Sequence, residues 1–182
     1  MNIIQKYSSK YNARFYHWCL MSNHYHLVTE LKNPEDLTKI TGGIQQVYAY
    51  RYHKKYGTAG KLFQGRFKSQ AIEKENYLLI CGRYVENNPV RAGLCQNAWD
   101  WPWSSAGFYI DGKNDTITLK DPLWKKTNGE DYKEWLKKTS QEEEKLFKSS
   151  LEVIGNLEYQ RKLLKKKGRI IHRRKGRRPD YL

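Results

Sequence analysis

Two imidazoles stand one residue apart in the run His24-Tyr25-His26. In an extended strand, residues i and i+2 project from the same face, so the two rings point together and Tyr25 points away. Adjacent imidazoles can chelate one divalent cation; so short a pattern is also what two surface histidines look like. Tyr84 and Asn88 form a second pair, spaced i, i+4, which a helix places one turn apart on one face. Tyr77 and Cys81 continue that face toward the N-terminus. A phenol can act as a covalent nucleophile, and an Asn amide offers a neutral oxygen ligand. The plainer alternative is an aromatic stripe packed on a sheet, with Asn88 ending the helix before Pro89. Arg66, Arg83 and Arg91 can each clamp a phosphate through two hydrogen bonds or be ordinary surface charge. Trp99, Trp101 and Trp103 can stack on unpaired bases, although core packing accounts for at least one of them. His17, His53 and His172 fall in no pattern and receive no role.

The elements that position these groups follow from periodicity and punctuation. A short helix is expected over 2–12. Residues 14–21 and 24–31 are rich in aromatic and β-branched types and flank a Ser22-Asn23 turn, which predicts a hairpin. Asn33-Pro34-Glu35-Asp36 has the chemistry of a helix start, with Asn33 as N-cap. Apolar residues from Leu37 through Ile40, Ile44, Val47 and Tyr48 then recur at helical spacing to about Tyr56. Gly42-Gly43 inside that helix costs about 1 kcal/mol per glycine, and close packing on the sheet is one reason to accept it. Residues 61–69 alternate with period two, with Phe63, Gly65 and Phe67 on one face and Gln64, Arg66 and Lys68 on the other, so a further strand is expected there. A helix over 74–88 ends at Asn88-Pro89. Residues 96–109 read as an aromatic-rich loop, and short helices are expected near 130–138, 141–153 and 156–166. The order predicts an α+β fold with an antiparallel sheet, divided into residues 1–118 and a helical, basic region over 119–182.

Composition limits the function classes. The 182 residues are 38% hydrophobic and 14% aromatic, enough for a core and too much for a disordered chain. Apolar runs are far shorter than the roughly 20 residues of a membrane span, and no secretory h-region follows Met1, so no membrane partner is expected. Cys19, Cys81 and Cys95 form no CxxC pair, which fits reduced thiols in the cytoplasm. P-loop, GxGxxG and GxSxG patterns are absent. The net charge is +15. Residues 159–182 hold 11 Lys and Arg against Asp180 alone, an electrostatic arm suited to phosphates. DNA contacts are therefore expected at Gln64, Arg66, Lys68, Arg83 and Arg91, and in the arm at Arg173, Arg174, Arg177 and Arg178.

Four strings in order, MSNHYHLV, GKLFQGRF, YLLICGRYVENNPVRAGL and WPWSSAGFY, resemble the REP-associated tyrosine transposases. These are single-tyrosine HUH transposases of IS200-like insertion sequences. The resemblance covers residues 15–110, and the tail ending GRRP is similar to the family's C-terminal region. It implies a ferredoxin-like antiparallel sheet with helices on one face. It also implies a catalytic Tyr84, and a metal site of His24, His26 and Asn88 holding Mg²⁺ or Mn²⁺. The implied reaction cleaves and rejoins single-stranded DNA at hairpin-containing, repetitive-palindrome-like sites through a 5′-phosphotyrosine, by a monomer or homodimer. Family members usually carry a strand and a helix before the histidine strand, whereas Met1 here lies 23 residues before His24. The first strand is thus expected to be absent or replaced by another segment. The rival functions are a truncated, inactive binder of single-stranded or hairpin DNA, and a metal-dependent nuclease that hydrolyses its substrate.

Overall fold

A β-hairpin lies at the centre of the protein. The structure, a computed structural model, describes residues 2–112, 116–119, 121–124, 128–138, 141–148 and 153–166. Helix α1 (Asn2–Tyr11) leads into β1 (Arg14–Leu20), which pairs antiparallel with β2 (Tyr25–Glu30). Both strands fall where the aromatic and β-branched residues predict them. A bulge interrupts the register between Phe15 and His17, and it reverses the alternation of faces at that point. Phe15 and Trp18 pack on one side with Ile4 of α1 and with Ile40 and Ile44 of α2 (Asp36–Tyr56). Tyr16 and Cys19 pack on the other side with Leu78, Cys81 and Val85 of α3 (Lys74–Glu86). His17, next to Tyr16 in sequence, also faces α3, bonding Glu86. The α+β class with an antiparallel sheet holds, with helices against both faces of the hairpin rather than one.

The outer edge of β1 is not left open. Leu20 N–H donates to Trp103 O at 2.8 Å, Ser105 N–H to Trp18 O at 3.0 Å, and Leu119 N–H to Phe15 O at 2.7 Å. Residues 103–105 and 117–119 thus lie beside β1, and they satisfy backbone groups that a bare edge would expose.

Three local expectations change. Residues 61–69 form no strand, and Ala71–Ile72 alone (β3) pairs, in parallel, with β4 (Val153–Ile154). The period-two pattern survives as exposure, with Gln64, Arg66 and Lys68 outward and Phe63 and Phe67 half-buried. A strand also needs a neighbour, and β2 has none but β1 among the described residues. Helix α2 starts at Asp36, not after an Asn33 cap. The Asn33 and Pro34 carbonyls instead accept the Asp36 and Leu37 N–H groups in a preceding turn. Gly43 packs on α1 rather than the sheet, since a Cβ there would lie 2.2 Å from the Tyr7 ring.

Past α3 the backbone bends at Asn87 and re-enters a short helix, α4 (Asn88–Arg91), with Pro89 in its first turn, where no N–H is needed. The expected loop over 96–109 holds a 3-10 turn (Ala98–Asp100) and the start of α5 (Ala106–Asp111). Helices α6 (Gly129–Lys137), α7 (Gln141–Lys148) and α8 (Leu157–Lys166) follow near the expected positions, α7 stopping short to leave room for β4. These later elements complete the cores: Phe147 and Ile154 join Tyr16 and Cys19, while Trp124, Tyr132 and Leu136 pack with Ala98, Ala106 and Tyr109. Among the described residues no helix is long and apolar enough to cross a membrane.

Candidate active site

The site assembles where β2 faces the C-terminal end of α3. Cross-strand partners share a face, and His26 is opposite Cys19, which packs on α3. His26 therefore faces α3. Tyr25, opposite Leu20, faces α2, where its hydroxyl accepts from Gln45 at 3.3 Å. The rings of His24 and His26 meet edge to face, 4.9 Å apart. The two imidazoles project together, as the strand spacing predicts.

The donor set suits a cation. His24 Nδ1 lies 2.6 Å from Asn23 Oδ1; that oxygen can only accept, so Nδ1 is the donor here and Nε2 is the nitrogen left for a ligand. His26 Nε2 is buried with no hydrogen-bond partner. Burial, with help from His24 and Arg91, pushes the His26 pKa down to about 4. Its ring is neutral at ordinary pH, with an unused nitrogen. Asn88 Nδ2 donates to the Tyr84 and Val85 carbonyls at 3.2 and 3.0 Å. Both partners are acceptors, so the amide orientation is fixed and Oδ1 points elsewhere. No three His, Cys, Asp or Glu side chains gather as a metal site among the described residues.

Tyr84 is half-buried on α3 with its ring centre 4.8 Å from that of Phe147. Tyr77 and Cys81 line the same core, as the helical spacing predicts. The Arg91 guanidinium lies over the Tyr84 ring, 3.9 Å from its centre, and donates to the Tyr84 carbonyl. The same charge helps depress the His26 pKa.

The expected DNA contacts fall into three groups. Gln64, Arg66 and Lys68 are exposed on the loop after α2. Arg83 is engaged within the protein. It is 8% exposed, ion-paired with Glu143, bonded to the Trp135 carbonyl at 3.1 Å and laid over the Trp135 ring. A guanidinium so engaged braces α3 against α6 and α7 and has no fork left for a phosphate. Arg173, Arg174, Arg177 and Arg178 lie outside the described residues. Of the tryptophans, Trp101 donates to Leu20 O at 2.9 Å, Trp99 is half-buried under Lys133 and Lys137, and Trp103 is exposed.

Sequence reasoning missed His17. It is fully buried, with Nδ1 3.0 Å from Glu86 and Nε2 3.0 Å from Asp121. Glu86 also accepts from Ser105 and from Tyr132, the latter at 2.8 Å. Burial would lower the His17 pKa, but the hydrogen bonds and charges of Asp121 and Glu86 outweigh it and hold it up at about 9. The imidazolium thus links the hairpin, the segment at Asp121 and α3, which it meets at Glu86, two residues past Tyr84. No local pattern in the sequence signals this group: Glu86 stands among Arg83, Asn87 and Asn88.

Residues 1–88 match the family model described as Transposase IS200 like. The matched span contains His24, His26 and Tyr84 and ends on Asn88. The match likens these 88 residues, fewer than half of the 182, to IS200-like transposases. No curated protein and no solved structure matches the chain.

Proposed function

We propose that this IS200-like chain acts as a REP-associated tyrosine transposase, cutting and rejoining single-stranded DNA at hairpin-containing sites through a phosphotyrosine on Tyr84. The observation that carries the reading is Arg91, one guanidinium stacked on Tyr84 whose charge also reaches His26. A phenol nucleophile, a cation for the phosphate and a pair of imidazoles with a free ring nitrogen on His26 suit phosphoryl transfer.

In the proposed reaction Tyr84 Oη attacks the scissile phosphorus and loses its proton. The bond from phosphorus to the 3′ oxygen breaks, and that oxygen takes up a proton as the free 3′-hydroxyl. The downstream strand stays on Tyr84 as a 5′-phosphotyrosine. A second 3′-hydroxyl reverses these steps and joins new ends, so neither water nor ATP is consumed. His24, His26 and Asn88 would hold a divalent cation, Mg²⁺ or Mn²⁺, which supplies Lewis-acid polarisation of the phosphate. Arg91 fixes the Tyr84 ring and adds positive charge where the transition state becomes more negative. Gln64, Arg66, Lys68 and the basic arm over 159–182 hold the strand through its phosphates.

The test is a denaturing gel with a hairpin oligonucleotide labelled on the 3′ side of the cut. The wild type is expected to carry label into the protein band, Tyr77→Phe to do the same, and Tyr84→Phe to carry none while still binding DNA. Adduct formation by Tyr84→Phe would refute the assignment. Cut DNA without adduct would make the protein a hydrolytic nuclease, and binding without cutting would make it a DNA-binding module.

A further inference from the structure

Beyond Ile44 no residue of α2 is buried, yet this half of the helix carries Tyr48, Tyr50, Tyr52 and Tyr56. Tyr48, Tyr50 and Tyr56 are 49%, 67% and 56% exposed. Tyr48, Tyr52 and Tyr56 recur every fourth residue and so share a face. Their ring centres step by 6.2 and 4.6 Å, and Phe63 extends the row, 6.0 Å from Tyr48. His53 ties the following loop to the helix end, with Nδ1 2.9 Å from Thr58 Oγ1 and Nε2 3.0 Å from Gly60 O. A connected aromatic surface on a projecting half-helix does no core packing, and patches of this kind mark binding sites.

The charge around the row selects the occupant. Residues 37–72 contain seven Lys and Arg and no Asp or Glu. Arg51, Lys54, Lys55, Lys61, Arg66 and Lys68 are all exposed, and Lys55 Nζ lies 5.0 Å from the centre of the Tyr56 ring. A second copy of the chain would set this positive field against itself. Flat π-faces interleaved with cations are the chemistry of single-stranded nucleic acid binding. The ring steps also exceed the roughly 3.4 Å rise of a duplex strand, so one base per ring requires a strand whose own bases are unstacked.

We infer that Tyr48, Tyr52, Tyr56 and Phe63 form a stacking platform for single-stranded DNA, with the surrounding Lys and Arg tracking its phosphates. The inference rests on the proposed function for the choice of DNA, and its test is read without cleavage. Fluorescence polarisation would compare binding of an oligothymidylate of about 15 nucleotides with that of a blunt duplex of equal length. The parent is the full chain carrying Tyr84→Phe. Adding Tyr48→Leu, Tyr52→Leu and Tyr56→Leu together should weaken oligothymidylate binding by at least about tenfold. The slope of log affinity against log salt should stay the same, because no charge is removed. The matching three Phe substitutions should bind within about twofold of the parent, since they keep the rings. Unchanged affinity in the Leu set, an equal loss on the duplex, or failure of the Phe set alongside the Leu set would each overturn the platform. So would a dimer in sedimentation that the Leu set dissociates with DNA affinity intact, because the row would then be a contact between copies. An inert Tyr84 in the gel assay would remove the transposition chemistry and leave this binding result standing.

Discussion

The Arg91 guanidinium lies 3.9 Å from the centre of the Tyr84 ring and donates to the Tyr84 carbonyl, so one side chain fixes both the ring and the backbone of the candidate nucleophile. Lysine keeps the charge but has neither the flat face nor the fork. Arg91→Lys should therefore reduce the rate of adduct formation at saturating DNA by about tenfold, the scale of a partly desolvated cation–π contact. DNA affinity should change little. Single-turnover kinetics with a binding titration separates the two, and a loss confined to affinity would make Arg91 a phosphate contact only.

Arg83 should behave in the opposite way. Its guanidinium joins α3 to Glu143 and to the Trp135 carbonyl. Arg83→Ala removes the guanidinium that bonds both the Glu143 carboxylate and the Trp135 carbonyl and should cost about 3 kcal/mol in urea unfolding. The salt slope of DNA binding should stay at the wild-type value. A flatter slope with normal stability would return Arg83 to the DNA surface.

His17 makes stability depend on pH. Its pKa rises from 6.5 to about 9 in the fold, so folding favours the protonated ring. The stabilisation is complete below about pH 6.5 and is lost as pH rises through about 9. The swing is on the order of 3 kcal/mol. Unfolding followed from pH 6 to pH 10 should show this decline in the wild type and not in His17→Asn, whose side chain does not titrate. Parallel profiles would mean that the ring is neutral between Glu86 and Asp121.

Two helix glycines should respond with opposite sign to alanine. A Cβ at Gly42 meets nothing within 4 Å, whereas at Gly82 it would lie 2.5 Å from the His17 ring. Gly42→Ala should stabilise by about 0.5–1 kcal/mol. Gly82→Ala should destabilise by about 1–3 kcal/mol, because the His17 ring is held from both sides and cannot yield. Thermal melts of the two variants check this, and equal shifts would contradict the packing.

The sequence by itself determined whatever depends on neighbours along the chain. The hairpin at 14–30, the long helix after Asp36 and the helix through Tyr84 follow from strand and helix periods, which are properties of backbone geometry. The strand period also places His24 beside His26, whereas α3 ends at Glu86 and Asn88 opens the next helix beyond the bend. Only the tertiary structure decided which pairs meet across the chain. Residues 61–69 have a strand's alternation but no neighbour to bond, so they stay irregular. Residues 103–105 have no strand pattern, yet they close the edge of β1, because its unpaired groups need partners. Arg83 and Arg91 look alike in sequence. One is drawn into an ion pair by α7 and the other is laid on Tyr84 by the bend at Asn87. His17 has no local pattern at all: its charge depends on Glu86 and Asp121, carboxylates distant in sequence that only folding brings within 3.0 Å. Local periods carry no information about such encounters, because packing and the pairing of buried charge are settled between elements rather than within them.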